Sequence, residues 1–369
     1  MIDRVLEHLE ALVGFDSSEP PATIRRDCPI VAYVAEALVL AGLEVKVEDI
    51  GGGCVNVFGT RGDPETLFNC HLDTVKPDPK WLREPFELAI DSGKAYGLGA
   101  CDIKGAAACM LAAVEATDDP IAVLFTTDEE AGKGRCIEHF VRKRQMAPAV
   151  VVVAEPTSAA PVTQHRGFTS FELTFSGSAG HTSASSASER SALHKAIRWG
   201  DQALTLAEPG GPLHEARFNI GVIAGGTASN VIASSAYVRF GFRPSPGPRA
   251  AADTEAAVVG LRNALPSDGS AEWTDRFLAP PLTATDDSLA AIEAWGLERA
   301  PDVDFWTEAA LFASAGMPTV VIGPGDIAQA HAADEFVEVD QLALCAGVYR
   351  SIIEAGAGSP AGQGASNAS

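Results

Sequence analysis

Three short runs constrain this chain more than any other feature: "TLFNCHLD" (66–73), "IAVLFTTDEE" (121–130) and "AVVVVAEPT" (149–157). Each is apolar without alternation and then breaks into imidazole or acidic side chains. A strand with one wet face alternates polar and apolar residues, so unbroken apolar runs belong to a sheet covered on both faces. Helical stretches near 2–14, 29–42, 104–117 and 135–145 separate them, with "EVKVEDI" and "CVNVFGT" as further strands. Strands interleaved with helices predict an α/β domain over residues 1–166, built on a doubly wound mixed sheet.

The texture changes at 167. "GFTSFELTFSG" alternates polar and apolar, as a sheet with one exposed face requires. A helix near 187–207, the strands "RFNIGVIAGG" and "SSAYVRFGFRP", a helix near 249–264 and the strand "AEWTDRFL" follow. This β-α-β-β-α-β order is the ferredoxin-like split unit, α+β in class, over 167–278. From 279 to 355 the α/β texture returns, with a helix near 287–298, the segment "TEAALFASAG", the buried strand "PTVVIGPG" and a last helix near 338–354. The smaller domain is therefore inserted in the larger. Residues 356–369, Gly-, Ala- and Ser-rich, read as a disordered tail.

The 369 residues are too many for one ordinary core, in keeping with two domains. No stretch approaches the roughly 18 apolar residues that cross a bilayer. The N-terminal "MIDRVLEHLEALVGF" lacks a signal peptide's basic start and reads as an amphipathic helix, so a cytoplasmic location is expected. A net charge of −22 excludes a nucleic-acid partner, whose phosphates need a basic surface. The seven cysteines, an odd number without CxxC spacing, read as reduced core residues.

Polar residues stand where strands end: His71 and Asp73 in "HLD", Asp102 in "GLGACDIKGA", Glu129 and Glu130 in "TTDEEAG", Glu155 in "VAEPT", and His331 in "AQAHAADE". Ligands bind outside the carboxyl ends of the strands of a doubly wound sheet, so these groups would converge on one crevice. Each alone has a plain alternative. "HLD" suits a solvated turn, Asp102 could cap the helix beginning near Lys104, and a lone histidine is usually surface or satisfied core. Their joint occurrence at strand ends favours a site.

With "SGSAGHTS", "GGTASNVIA", "DFWTEAALF" and "GPGDIAQAHAADEFV", these motifs resemble the M20 family of metallopeptidases and deacylases over nearly the whole chain. Within it they are most similar to the acetylornithine deacetylase branch, N-acetylcitrulline deacetylases above all. The resemblance implies a catalytic α/β domain and an inserted ferredoxin-like dimerisation domain in a homodimer. It implies two divalent ions, zinc or cobalt, bridged by Asp102. His71 and Glu155 would complete one site, and Glu130 and His331 the other. Asp73 would orient the ring of His71, and Glu129 would be the general base. His181 would steady the oxyanion across the dimer, while Asn230, Arg243 and the amides around Gly323 and Gly325 would bind the substrate carboxylate, unless the glycines only form a turn. Glu308 in "TEAALF" is a further candidate near the substrate.

The implied reaction is hydrolysis of an N-acyl amino acid, N-acetyl-L-citrulline first, in arginine biosynthesis. N-acetylornithine, succinyl-diaminopimelate and dipeptides are alternatives of the same chemistry. A binding protein for acylated amino acids is the non-catalytic alternative, and it should have lost the base or a ligand. The chain carries no G-x-S-x-G, H-E-x-x-H or G-x-G-x-x-G motif, in keeping with chemistry that needs no enzyme nucleophile.

Overall fold

The structure is a computed structural model that describes residues 1–18, 23–132, 134–144 and 146–357. It divides into two compact units. One holds Met1–Thr163, Ala284–Asp302 and the chain from Thr307; the other holds Gln164–Thr283 and Val303–Trp306.

The first unit runs α1 (Ile2–Val13), α2 (Pro29–Leu40), β1 (Glu44–Gly51), β2 (Cys54–Arg61), β3 (Thr66–His71), β4 (Ala89–Asp91), β5 (Lys94–Tyr96), α3 (Lys104–Glu115), β6 (Ile121–Thr126), α4 (Arg135–Lys143) and β7 (Val150–Val153). Beyond the second unit's β8 (Phe168–Ser176), α5 (Ala187–Arg190), α6 (Ala192–Leu206), β9 (Asn219–Gly225), β10 (Ser235–Gly241), α7 (Ala250–Asn263) and β11 (Ala271–Ala279), the first resumes. It continues with α8 (Asp286–Ala294), α9 (Ala309–Ser314), β12 (Thr319–Val321), β13 (Phe336–Glu338) and α10 (Val339–Ala357).

The large sheet has the order β1-β2-β6-β3-β7-β12. β6, β3, β7 and β12 are mutually parallel, while β1 and β2 pair antiparallel at one side. The sheet is thus mixed, and four strands bring their carboxyl ends to one edge. β3, β6 and β7 are buried at every position, which explains their lack of alternation. Asn69, inside β3, is accommodated by giving its Nδ2 hydrogen to the Leu124 carbonyl at 3.2 Å.

The alanine-rich α3 is buried almost from end to end between α1 and α10. Small side chains let the three helices approach closely. At its start a Cβ on Gly105 would lie 2.2 Å from the Ala100 carbonyl oxygen, so only glycine fits there. All seven cysteines are free thiols, and all but Cys28 are buried.

The second unit is a four-stranded antiparallel sheet, β11-β8-β10-β9, in the chain order β-α-β-β-α-β. β8 and β10 alternate buried and less buried positions, with Phe171, Leu173, Phe175, Val238 and Phe240 turned into a core that Trp199 of α6 and Leu261 of α7 complete. Trp199 Nε1 donates to the Leu261 carbonyl, satisfying the one polar atom of that large ring.

Several details differ from the sequence reading. The units divide at 163/164 and 283/284, not at 166/167 and 278/279. His165 bridges Leu282, which draws both flanks of the insertion into the second unit, and Val303–Trp306 joins it too. The helix expected over 187–207 is broken at Ser191, which turns extended and caps α6. A three-stranded sheet, β13-β5-β4, has strands of three residues, too short for any alternation to register. Residues 356–357 end α10 and do not open a tail, and 358–369 lie outside the described residues.

Candidate metal centre

The carboxyl ends of the parallel strands deliver the polar residues. His71 is the last residue of β3, Asp128, Glu129 and Glu130 follow β6, and Glu155 follows β7. Asp102 stands two residues before α3; the helix's N-cap is Ile103, and no side chain caps it. Asp102 is therefore not held there by a capping role. His331 comes from the loop before β13, with φ +55°.

Two sets of ligand atoms gather, His71–Asp102–Glu155 and Asp102–Glu130–His331, the atoms of each within 4.8 Å of one another. Asp102 belongs to both, and its two oxygens face different imidazoles. Oδ1 lies 3.3 Å from His71 Nε2, and Oδ2 lies 3.4 Å from His331 Nε2. Glu155 Oε1 is 3.8 Å from His71 Nε2, and Glu130 Oε1 is 2.9 Å from His331 Nε2.

His71 Nε2 and Asp102 Oδ1, 3.3 Å apart, are both buried and neither makes a well-aligned hydrogen bond, so two polar atoms point at the same small volume. Leaving both unsatisfied is costly, and a cation between them removes the cost. Two imidazoles and three carboxylates form a donor set that suits zinc or cobalt, and neither set includes a cysteine. The residues present fit a pair of divalent ions.

The electrostatics agree. Burial raises the carboxyls of Glu129, Glu130 and Glu155 above the usual range, and their negative neighbours add to it. Asp102 goes the other way, because contact with two imidazoles outweighs its burial. Burial opposes charge on His71, but Asp102 and Asp73 raise it well above 6.5. Asp102 and Glu130 push His331 up to about 11. So many acidic groups crowded into one buried volume raise one another, and a cation among them would relieve that crowding.

Asp73 stands close to His71, with the ring's Nδ1 3.5 Å from its Oδ1, but the shorter contact of Nδ1, at 2.9 Å, is to the Asp73 main-chain carbonyl. The carboxylate instead accepts the backbone N–H groups of Glu129 (3.4 Å) and Glu130 (2.9 Å). Asp128, which the sequence reading passed over, accepts from the backbone of Arg135 and Cys136 and so closes the loop onto the start of α4. Glu308 is 1% exposed and accepts a hydrogen bond from Thr126 Oγ1 at 3.0 Å. Burial, with Asp128 adding, pushes its carboxyl up to about 8. Gly323 packs its Cα against the main chain of Glu155, and its N–H already donates to Thr157 Oγ1. Gly325 has φ +80°, and a Cβ there would lie 2.7 Å from Cys101 Sγ. Tight packing accounts for both glycines.

The remaining candidates lie in the second unit. His181 bridges Val231, and Thr182 N–H donates to the Asn230 carbonyl, so His181 and Asn230 are neighbours on an exposed loop pair. Arg243 stands beyond the other end of β10, its guanidinium 4.3 Å above the Phe168 ring. The seven residues of β10 separate it from Asn230 by roughly 20 Å at about 3.3 Å per residue.

The profile of peptidase family M20/M25/M40 matches residues 67–355. The N-acetyl-L-citrulline deacetylase of Xanthomonas campestris pv. campestris is 41% identical over 356 residues, covering 93% of this chain and 95% of that protein. Aminopeptidase PepT of Bacillus cereus shares the fold with a TM-score of 0.74 at 21% identity, over 97% of this chain and 99% of that one. YXEP of Bacillus subtilis, a dinuclear metal-binding peptidase from the M20 family, does so with a TM-score of 0.66 at 14% identity, over 95% and 97%. The profile and the 41% identical relative each extend over most of the sequence, and the chain belongs to peptidase family M20/M25/M40.

Proposed function

We propose that the chain hydrolyses the acetyl amide of N-acetyl-L-citrulline, giving citrulline and acetate, with two divalent ions, zinc or cobalt. The carboxylate shared between two ligand sets, Asp102, carries the reading of the chemistry. The 41% identical deacetylase supports the choice of substrate.

His71, Asp102 and Glu155 would hold one ion and Asp102, Glu130 and His331 the other. When bound, the ions supply an acidified water and polarisation of the amide carbonyl. The chain's own residues then manage the protons. Glu129 follows directly on the β6 loop that Asp73 and Asp128 fix, and Glu130 beside it is engaged with His331. Glu129 accepts a proton from the attacking water as its oxygen bonds to the acetyl carbon. It returns that proton to the nitrogen as the C–N bond breaks, leaving acetate and a free amine.

His181 and Asn230 act in this reading from a partner subunit. Their distance along the sheet from Arg243 favours that arrangement, as does the exposed edge strand β9 of a sheet that a second copy could extend. Such a donor to the oxyanion is worth roughly 3–4 kcal/mol. Arg243 would meet the substrate carboxylate with its planar fork. Glu308 is buried and accepts a hydrogen bond from Thr126, and the preference for the ureido substrate over the ammonium one rests on the 41% identical deacetylase. The reaction belongs to arginine biosynthesis in the cytoplasm; among the described residues no helix is long and apolar enough to cross a membrane.

The test is acetate release from N-acetyl-L-citrulline and N-acetyl-L-ornithine, side by side, on protein loaded with cobalt or zinc. Turnover of the citrulline compound alone is expected. Turnover of the ornithine compound alone overturns the substrate, and silence on both with metal bound overturns the deacetylase reading.

A further inference from the structure

One buried carboxylate outside both ligand sets ties them together. Glu335 lies four residues after His331 and is 2% exposed. It bonds to the backbone of the loop that carries Asp102. Oε2 accepts from Gly99 N–H at 2.9 Å, and Oε1 accepts from Cys101 N–H and Asp102 N–H, both at 2.9 Å. The Glu335 carbonyl also accepts from Gly97 N–H. Beside it, Asp334 Oδ1 accepts from the N–H groups of Leu82 and Arg83. The segment 331–335 is therefore pinned at its far end to two other loops. This matters because His331 is the more exposed of the two ligands: its side chain is 53% exposed, whereas that of Asp102 is 7% exposed.

Gly99 has φ +81°, and a Cβ there would lie 2.9 Å from Lys104 Cδ and Thr74 Cγ2, so the turn that presents its N–H to the carboxylate favours glycine at that position. Charge-assisted bonds of this kind are about twice as strong as neutral ones. Three of them on one loop fix where Asp102 presents its oxygens.

We propose that Glu335 is a positioning residue of the metal centre, which couples His331 to Asp102 by holding the Asp102 loop through three backbone hydrogen bonds. The inference rests on the two-ion reading above. In Glu335→Gln one acceptor becomes an NH₂ group facing a backbone N–H and the carboxylate charge is lost, while size is retained.

The experiment is titration of metal-free wild-type protein and Glu335→Gln with Co²⁺, read by calorimetry and the cobalt visible spectrum, alongside the melting temperature of each metal-free protein and kcat and KM after loading. Expected is a 10–100-fold weaker Co²⁺ affinity in the variant, as such supports usually give, with a lower kcat, a near-constant KM and a metal-free melting temperature close to wild type. Unchanged Co²⁺ affinity, with or without a lower melting temperature, would overturn the positioning role alone. Wild-type protein that binds no Co²⁺ overturns the two-ion reading and this one with it. Should the variant not fold, hydrogen exchange at Gly99, Cys101 and Asp102 in loaded wild-type protein decides. Slow exchange supports the clamp, and rapid exchange refutes it.

Discussion

Substituting Asp73→Asn tests how the loop after β6 is held. The carboxylate is fully buried and accepts the N–H groups of Glu129 and Glu130, the residues assigned as base and ligand. Asparagine offers one oxygen and one NH₂, so one of the two bonds is lost and a buried donor is left facing a donor. A hydrogen bond to a charged acceptor contributes roughly 1.5–3 kcal/mol, and the surviving bond weakens as its acceptor loses charge. The 3.4 Å bond to Glu129 is long, which argues for the lower half of that range there. Together the change amounts to about 3 kcal/mol against the loop's bound geometry. If that energy is needed to hold Glu129 and Glu130 in place, kcat/KM falls about 100-fold, at roughly 1.36 kcal/mol per tenfold. The assay is steady-state acetate release with bound metal counted in each preparation. A variant within threefold of wild type, fully loaded, would refute the clamp.

Two further outcomes are specific to packing and protonation. Gly105→Ala forces a Cβ onto the Ala100 carbonyl at 2.2 Å, and overpacking of this kind costs about 1–3 kcal/mol, seen as a lower urea midpoint; a wild-type midpoint contradicts it. His165, in the second unit, is buried with Nδ1 2.9 Å from the Arg166 carbonyl, and burial lowers it from 6.5 to about 4. Between those values the unfolded chain binds the proton and the folded chain does not. The stability is therefore present in full above pH 6.5 and is lost as pH falls toward 4, by about 3 kcal/mol at most. His165→Asn should flatten the pH dependence of unfolding over that interval, and an unchanged slope removes the assignment.

The architecture was legible wherever burial leaves a strong mark on sequence. β3, β6 and β7 are covered on both faces and read as unbroken apolar runs, so the polar residues at their ends stood out. The split unit showed through the alternation of β8 and β10. What stayed hidden acts through the main chain. Asp73, Asp128 and Glu335 accept backbone N–H groups, and such a clamp has no residue spacing by which to recognise it. The burial of Glu308 was equally unreadable, since it depends on Thr126, a residue 182 positions away. Short strands fared worst: β4, β5 and β13 each have three residues, and their pairing is decided by neighbours.

The central claim is that Glu129 moves the proton in an amide hydrolysis organised around Asp102. The most direct measurement is kcat for N-acetyl-L-citrulline in Glu129→Gln beside wild type, with two ions per chain verified in both. A fall of about 10²–10⁴-fold with metal content unchanged is expected. A fully loaded variant that turns over within a few-fold of wild type would contradict it and assign the base to another residue.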